Sequence, residues 1–402
     1  MRSAALTTLF LMLLTSLAVG CHRDDPAQPQ PPSIPAAAPS FTRQPAADAV
    51  VQSGRAGWPI FPTDPCVVED AEGYHLFYTS YFCNAGGIYH YSWDVDDLAA
   101  CNIMDSVSTV GYAFSADRGL TWEFRGAPVL MPGIEAWQCG DLETPSVTMV
   151  AGRLYLFYSA TGTFEGQPFP QRYQVGVATL DLAGRTIRQR LIEDDGVFTA
   201  RSEPLLPYDT STTSFCNNTQ EPSAVVRDDG NLEVFFVGIG LARPDLPPEV
   251  PGQDIVSVGM ARAVFTPDLA PIELPAAYLL PGANITEVKH YDGAYHVFAT
   301  TGTSGEFHRD ERIVYYRSHD GTTFTGPTVL LTPDAPFDAW GMMAPTVVVE
   351  PDRLVMFYSG WSREDHPCFP EPLPPGTRFG RPSDGNSTCI FGSIGRAVAD
   401  RR

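Results

Sequence analysis

"FPTDPCVVEDAEGYHLFYTS", residues 61–80, holds an Asp-Pro pair, a short alternating run, an acidic turn and a second run ending in aromatics. Alternation, turn and alternation describe a β-hairpin. The hairpin returns as "ETPSVTMVAGRLYLFYSATG" (143–162), "QEPSAVVRDDGNLEVFFVGIG" (220–240), "ITEVKHYDGAYHVFATTG" (285–302) and "APTVVVEPDRLVMFYSGW" (344–361). Such a repeat marks an array in which each unit covers its apolar face with the next one.

Each hairpin is followed by a third strand pattern: "VGYAFS" (110–115), "VGVATL" (175–180), "SVGMARA" (257–263), "VYYRS" (314–318) and "SIGRAVA" (393–399). A shorter fourth element begins at Ala127, Glu203, Ala277 and Thr328, but none follows the fifth hairpin. The missing strand is supplied from the other terminus by "GWPIFP" (57–62). Five four-stranded units closed by an N-terminal strand specify an all-β, five-bladed β-propeller, because a ring hides its edges only when its ends are joined. "SADRGLTW" (115–122) matches the Asp-box pattern and "SHDGTTF" (318–324) is a degraded copy. In that turn the aspartate caps backbone N–H groups and the aromatic packs inward, so Asp117, Trp122 and Asp320 read as structural.

The chain has 402 residues and a formal net charge of −21, which argues against nucleic-acid binding through basic patches. Residues 1–20 read as a signal peptide, and "LAVGC" resembles a bacterial lipobox with Cys21 as the lipidated residue. A Pro/Ala-rich tether is expected over 21–50, with the propeller over 51–402. The expected location is the bacterial cell envelope, reached by the membrane only through that anchor, and the expected state is a monomer. Export permits disulfides. Cys83 and Cys101 flank one excursion, Cys368 and Cys389 flank another, and Cys139 and Cys216 occupy equivalent places before Pro145 and Pro222. Those three pairings leave Cys66 as a buried thiol. The eight histidines show no metal-ligand spacing, so no metal site is expected.

In a propeller the innermost strands converge on the axis, and the residues entering them surround one mouth. The position before each repeat proline holds Asp64, Thr144, Glu221, Ile285 and Ala344 in turn. Glu143 and Asp141 lie just ahead of Thr144, and Glu287 falls in line with Cys66, Ser146 and Ser223. Glycoside hydrolysis needs two carboxyl groups across a sugar, one ionised and one protonated, and acids on different blades meet that need. An aspartate before a strand is also an ordinary turn residue, so the pairing of Asp64 with Glu221 carries the functional reading. Trp137 and Trp340, in matching approaches to blades two and five, and Phe215 are candidates for stacking on sugar, against the alternative of packing between blades.

The Asp-Pro of blade one and the Glu-Pro of blade three resemble the propeller of glycoside hydrolase family 43, with the invertase and levansucrase families similar. The resemblance spans about Gly57 to Ala399. It implies Asp64 as general base, Glu221 as general acid, and a blade-two acid that tunes the site, here Glu143 or Asp141 because Thr144 fills the aligned position. The chain lacks the Arg-Asp-Pro of the invertase relatives, so inversion is implied, on arabinan- or xylan-type substrates. No cofactor is required, although the family resemblance admits a calcium in the channel. The alternative is a non-catalytic surface propeller that binds carbohydrate or a protein, which the Thr144 position favours. A sialidase would need six blades and an arginine triad.

Overall fold

The computed structural model describes residues 37–52, 59, 61–81, 83–85, 88–90, 108–162, 172–209, 211, 214–242, 255–301, 310–363 and 390–401. Five antiparallel sheets follow one another around a ring as the blades of a β-propeller. Blade one comprises Thr63–Glu69, Tyr74–Tyr81, Ser108–Ser115 and Glu123–Phe124. Blade two comprises Leu142–Val150, Arg153–Ala160, Gln174–Asp181 and Thr199–Ala200. Blade three is built from Asn218–Val226, Leu232–Leu241 and Ile255–Phe265, with an outer edge split into Pro271–Glu273 and Leu280–Pro281. Blade four holds Asn284–Tyr291, Ala294–Thr301, Arg312–Ser318 and Thr325–Leu331, and blade five holds Gly341–Val349, Arg353–Arg363 and Ile390–Asp400.

The second strand of each blade is buried on both faces and reads as a near-continuous apolar run, from Leu76–Tyr78 in blade one to Val355–Tyr358 in blade five. Blade-to-blade packing therefore rests on large rings such as Phe77, Tyr158, Phe236, Phe298 and Tyr358. Outside blade four, whose outer strand runs Thr325–Leu331, the outer strands are fragments. In blades one and two a two-residue pair at one end is joined by a single bridge at the other, Val110 with Leu130 and Val175 with Leu206. Short, broken edges of this kind give another chain little to pair with.

Ring closure departs from the expected segment. The fourth strand of blade five is Thr42–Arg43, paired with Val398 and Ala397, and a further bridge joins Val51 to Ile394. Accordingly the compact unit begins at Ala38 rather than at residue 51. The physical reason is Arg43. Its guanidinium donates to Asp338 Oδ2 at 3.0 Å and to the Tyr358 hydroxyl at 2.9 Å, and pairs with Asp334. Asp338 has no solvent exposure, and its other oxygen accepts the N–H groups of Asp334 and Ala335. "GWPIFP" carries no such cation.

The two Asp-box turns hold their hairpins. Asp117 Oδ1 accepts from the N–H groups of Leu120 and Thr121, while Trp122 packs edge-on to Phe357 of blade five. Asp320 accepts from Thr322 and Thr323 in blade four. The expected Cys139–Cys216 bridge is not formed; neither residue is in a disulfide, and nor is buried Cys66. Cys139 turns to the Ala136 carbonyl within its own loop, and Cys216 turns toward Gly238 of blade three. Cys21, Cys101, Cys368 and Cys389 lie outside the described residues, and of Cys83 only the strand backbone is described.

Removing Arg43 strands Asp338 in the core. Arg43→Met is expected to lower unfolding stability by about 3 kcal/mol, as for other broken buried pairs. The exposed Arg185–Asp194 pair serves as control, and its Arg185→Met change should cost under about 1 kcal/mol in the same denaturant titration.

Candidate active site at the channel mouth

One backbone device builds the mouth. Asp64, Thr144, Glu221, Ile285 and Ala344 all adopt left-handed backbone, with φ between 44° and 55°. Each sits at a register shift where its innermost strand bulges against the second strand. Left-handed geometry is unfavourable for any residue with a Cβ, and a bulge re-aims the side chain it contains. The result is that this position faces the axis in every blade.

The strain is held from the neighbouring blade. The N–H of Thr144 donates to Thr79 Oγ1, that of Glu221 to Ser159 Oγ, that of Ala344 to Thr300 Oγ1 and that of Asp64 to Ser359 Oγ, over 2.7–3.2 Å. The hydroxyls come from equivalent places on the second strands, each opposite the residue before its own blade's left-handed one. Blade three has Val237 at that place, opposite Gln220, and offers no hydroxyl. There the Ile285 N–H donates instead to Glu221 Oε2, at 2.8 Å. One turn deeper, Thr346, Cys66, Ser146 and Ser223 accept the N–H groups of Val67, Val147, Ala224 and Val288 in the next blade. Glu287 shares that layer and is paired with Lys289 at 2.5 Å.

Asp64 and Glu221 line one axial pocket, together with Thr144, Ile285, Glu287, Ala344 and the prolines that follow. Its volume is about 30 Å³, enough for a water and too small for a sugar ring. Both carboxyls are nearly buried, at 7% and 8% exposure. Burial pushes Glu221 up to about 8, against the opposing pull of the Ile285 N–H and Gln220, whose amide donates to Oε1 at 2.8 Å. The charge of Asp64 adds to the rise. Glu143 is likewise pushed up to about 8, first by burial and then by Asp141 and Asp64. Its two oxygens accept from the hydroxyls of Tyr81 (3.1 Å) and Tyr173 (2.9 Å). Asp141, also raised by burial, accepts the N–H and hydroxyl of Ser108 on one oxygen.

The structure thus gathers Asp64, Glu221, Glu143 and Asp141 around blades one to three, with Glu287 below them. The aromatics are placed otherwise. Trp137 stacks on Tyr158 at 6.3 Å, lies against Gly176 and donates its indole N–H to the Ser202 carbonyl. Trp340 is buried with Ile285, Met343, Ala344 and Trp361. Phe215 lines a separate cavity of about 640 Å³ between blades two and three. Sequence reading passed over Tyr173 and Gln220. Gln220 was visible as the neighbour of Glu221, whereas Tyr173 has no counterpart in the repeat that would have marked it.

No protein-family model matches the chain, and no curated protein does. Solved structures do. A family 117 glycoside hydrolase of the marine bacterium Zobellia galactanivorans superposes with a TM-score of 0.56 and 14% identity, over 90% of each chain. A thermostable family-43 glycoside hydrolase gives 0.54 and 14%, over 88% of this chain and 96% of its own. A family-43 β-xylosidase/α-arabinofuranosidase from a compost metagenome, crystallised with xylotriose in a calcium-free form, gives 0.50 and 14%, over 89% and 94%. At these identities the likeness establishes the five-bladed fold.

Two outcomes follow from the electrostatics. The folded Glu221 carboxyl titrates near about 8 and an unfolded one near ~4.3, so its contribution to stability is present below the lower value and is lost as pH rises through the upper. Glu221→Gln should therefore raise the melting temperature at about pH 8 and by much less at about pH 5. Val237→Thr places a hydroxyl where the other blades have one. It should draw the Ile285 N–H away from Glu221 and raise the carboxyl's titration further, read by ¹³C NMR of labelled glutamate.

Proposed function

We propose that the chain is a glycoside hydrolase that cleaves an O-glycosidic bond of an arabinan- or xylan-type oligosaccharide with inversion. The observation that carries this is the convergence of Asp64 and Glu221, from non-adjacent blades, on a single pocket with room for one water. An inverting site needs that water between base and anomeric carbon, with the acid on the other side of the bond being cut. Asp64 takes a proton from the water as its oxygen bonds to the anomeric carbon. The bond to the leaving oxygen breaks, and Glu221, kept protonated by burial, gives that oxygen its proton. Exchange with solvent then restores both carboxyls. The sugar itself would lie above the pocket, across the mouth.

The superposable glycosidases support this reading through shared architecture, and the xylotriose bound to one of them supports a xylan-type ligand. The family resemblance admits calcium in the channel. Among the described residues no His, Cys, Asp and Glu group has ligand geometry, and Lys289 pairs with Glu287 in that layer, so no step is assigned to a metal. The N-terminal apolar run and Cys21 support export and lipid anchoring at the cell envelope, and the acidic charge of −21 gives nucleic acid no foothold. A second reading, a non-catalytic carbohydrate- or protein-binding propeller, is favoured by Thr144, which puts no carboxyl at the blade-two position on the axis.

Hydrolysis of arabino-, xylo- and fructo-oligosaccharides separates the two. Cleavage is expected, with the product's anomeric configuration inverted by NMR, and Asp64→Asn and Glu221→Gln should each lower kcat by about 10³-fold. Glu221→Gln should regain activity on aryl glycosides whose leaving group needs no proton, and Asp64→Asn should not. Binding of an oligosaccharide without cleavage would support the second reading, and equal activity in both variants would remove the assigned roles.

A further inference from the structure

Blade four breaks the repeat at the axis. In the other blades the left-handed residue is followed by Pro65, Pro145, Pro222 or Pro345, and in blade four by Thr286. All five of these residues line the axial pocket. A pyrrolidine ring offers no hydrogen bond, whereas threonine brings a hydroxyl that both donates and accepts. Thr286 is buried, at 6% exposure, and its Oγ1 has no hydrogen-bond partner among the described residues. A hydroxyl buried in that condition is costly, so one that is kept has a partner to gain, in protein or in water.

The other polar side chains of the pocket are already directed. Thr144 Oγ1 shares a hydrogen bond with Ser159 Oγ, and Glu287 lies on Lys289. Glu221 takes the Ile285 N–H on one oxygen and the Gln220 amide on the other. Asp64 Oδ2 accepts the Thr63 hydroxyl at 3.2 Å, and a carboxylate has lone pairs for further donors. A water in a space of about 30 Å³ needs two or more polar partners to stay ordered. Asp64 and Thr286 supply them from different blades, so a water bonded to both is fixed in direction as well as in place.

We propose that Thr286 is the second anchor of the attacking water, its Oγ1 holding the hydrogen that Asp64 does not take. The proposal rests on the reading of Asp64 as general base. With one hydrogen on Asp64 and the other on Thr286, the lone pairs of the water are left for the anomeric carbon. As the new C–O bond forms, the first hydrogen passes to Asp64 as a proton and the second stays on the product hydroxyl. Thr286 neither gains nor loses a proton. A proline at this place, as in the other four blades, would leave the water tethered at one end.

The test needs no substrate in its first arm. High-resolution crystal structures of the wild type and of Thr286→Ser should show an ordered water within hydrogen-bond distance of both the residue 286 hydroxyl and the Asp64 carboxyl, and Thr286→Val should lose it. A wild-type Thr286 that meets no water, or a water that keeps its place in the valine variant, would overturn the proposal. In the second arm Thr286→Val and Thr286→Pro should each lower kcat by about 10²-fold, the scale of a misplaced reactant, with KM unchanged. Thr286→Ser, which keeps the hydroxyl, should recover most of the rate. Equal loss in the serine and valine variants, or a loss confined to KM, would mean that the side chain serves packing or sugar binding instead. The valine variant carries the kinetic arm by itself should the proline variant not fold. If the wild type cleaves no glycoside, the hydrolase reading fails while the crystallographic arm still decides whether Thr286 and Asp64 hold a water between them.

Discussion

Five residues with side chains are held in left-handed backbone around one axis, and the remainder of the mouth depends on keeping them there. Each such residue costs on the order of 1–3 kcal/mol unless its surroundings fix it. The fixing group comes from the preceding blade, a hydroxyl for four of the five and the Glu221 carboxyl for Ile285, so every blade stores strain that its neighbour relieves. Blade packing and mouth geometry are therefore one property. A blade that tilted would release the N–H of the next residue and turn its side chain off the axis. The arrangement also explains why the axial residues differ so freely. Backbone and neighbour set the direction, and Asp64, Thr144, Glu221, Ile285 and Ala344 are what the direction happens to carry.

The break at blade three gives the mouth its asymmetry. With Val237 in place of a hydroxyl, Glu221 has a structural duty toward Ile285 as well as any chemical one, and its carboxyl is aimed by the backbone of another blade. Acids then line the side formed by blades one to three. At the level of the axial residues the side formed by blades four and five is apolar, with Ile285, Met343, Ala344, Trp340 and Trp361 packed together and Phe61 against them, while Glu287 lies a layer deeper on Lys289. An apolar wall opposite a cluster of carboxyls lowers the local dielectric, which raises the cost of every charge placed there. Protonated glutamates near neutral pH are the outcome.

The hairpin repeat made the ring legible, because a period-two apolar pattern repeated with the same turn chemistry has few other ways to bury itself. The axial positions were legible for the same reason: alignment of the repeats alone puts Asp64 and Glu221 in register. Ring closure was misread because "GWPIFP" has the composition of an outer strand, whereas the choice was made by one cation and its buried aspartate, Arg43 and Asp338, which lie 295 residues apart. Tyr173 and the Val237 gap were illegible for a related reason. Their meaning lies in contacts across blades, and strand pattern reports only which face of a sheet a residue occupies. The tryptophans show the converse limit, since matching places in the repeat predicted stacking surfaces and the rings are spent on packing at Tyr158 and in the buried cluster beside Trp361.

The stitch between Arg43 and the last strands also orders events in time. A ribosome makes Thr42–Arg43 well before Ile390–Asp400, so the earliest strand of the propeller has no sheet to join until that last strand has been made. Asp64 is in the same position, since the Ser359 hydroxyl that holds its backbone emerges almost three hundred residues later. Blades two to four can take shape as they are made, each against the one before. The catalytic candidate of blade one cannot, and becomes a site only at the moment the circle is completed. A chain stopped before Ser359 would thus display most of the fold, and the other four axial residues, without a fixed Asp64, which ties any activity to synthesis of the last blade without a separate control.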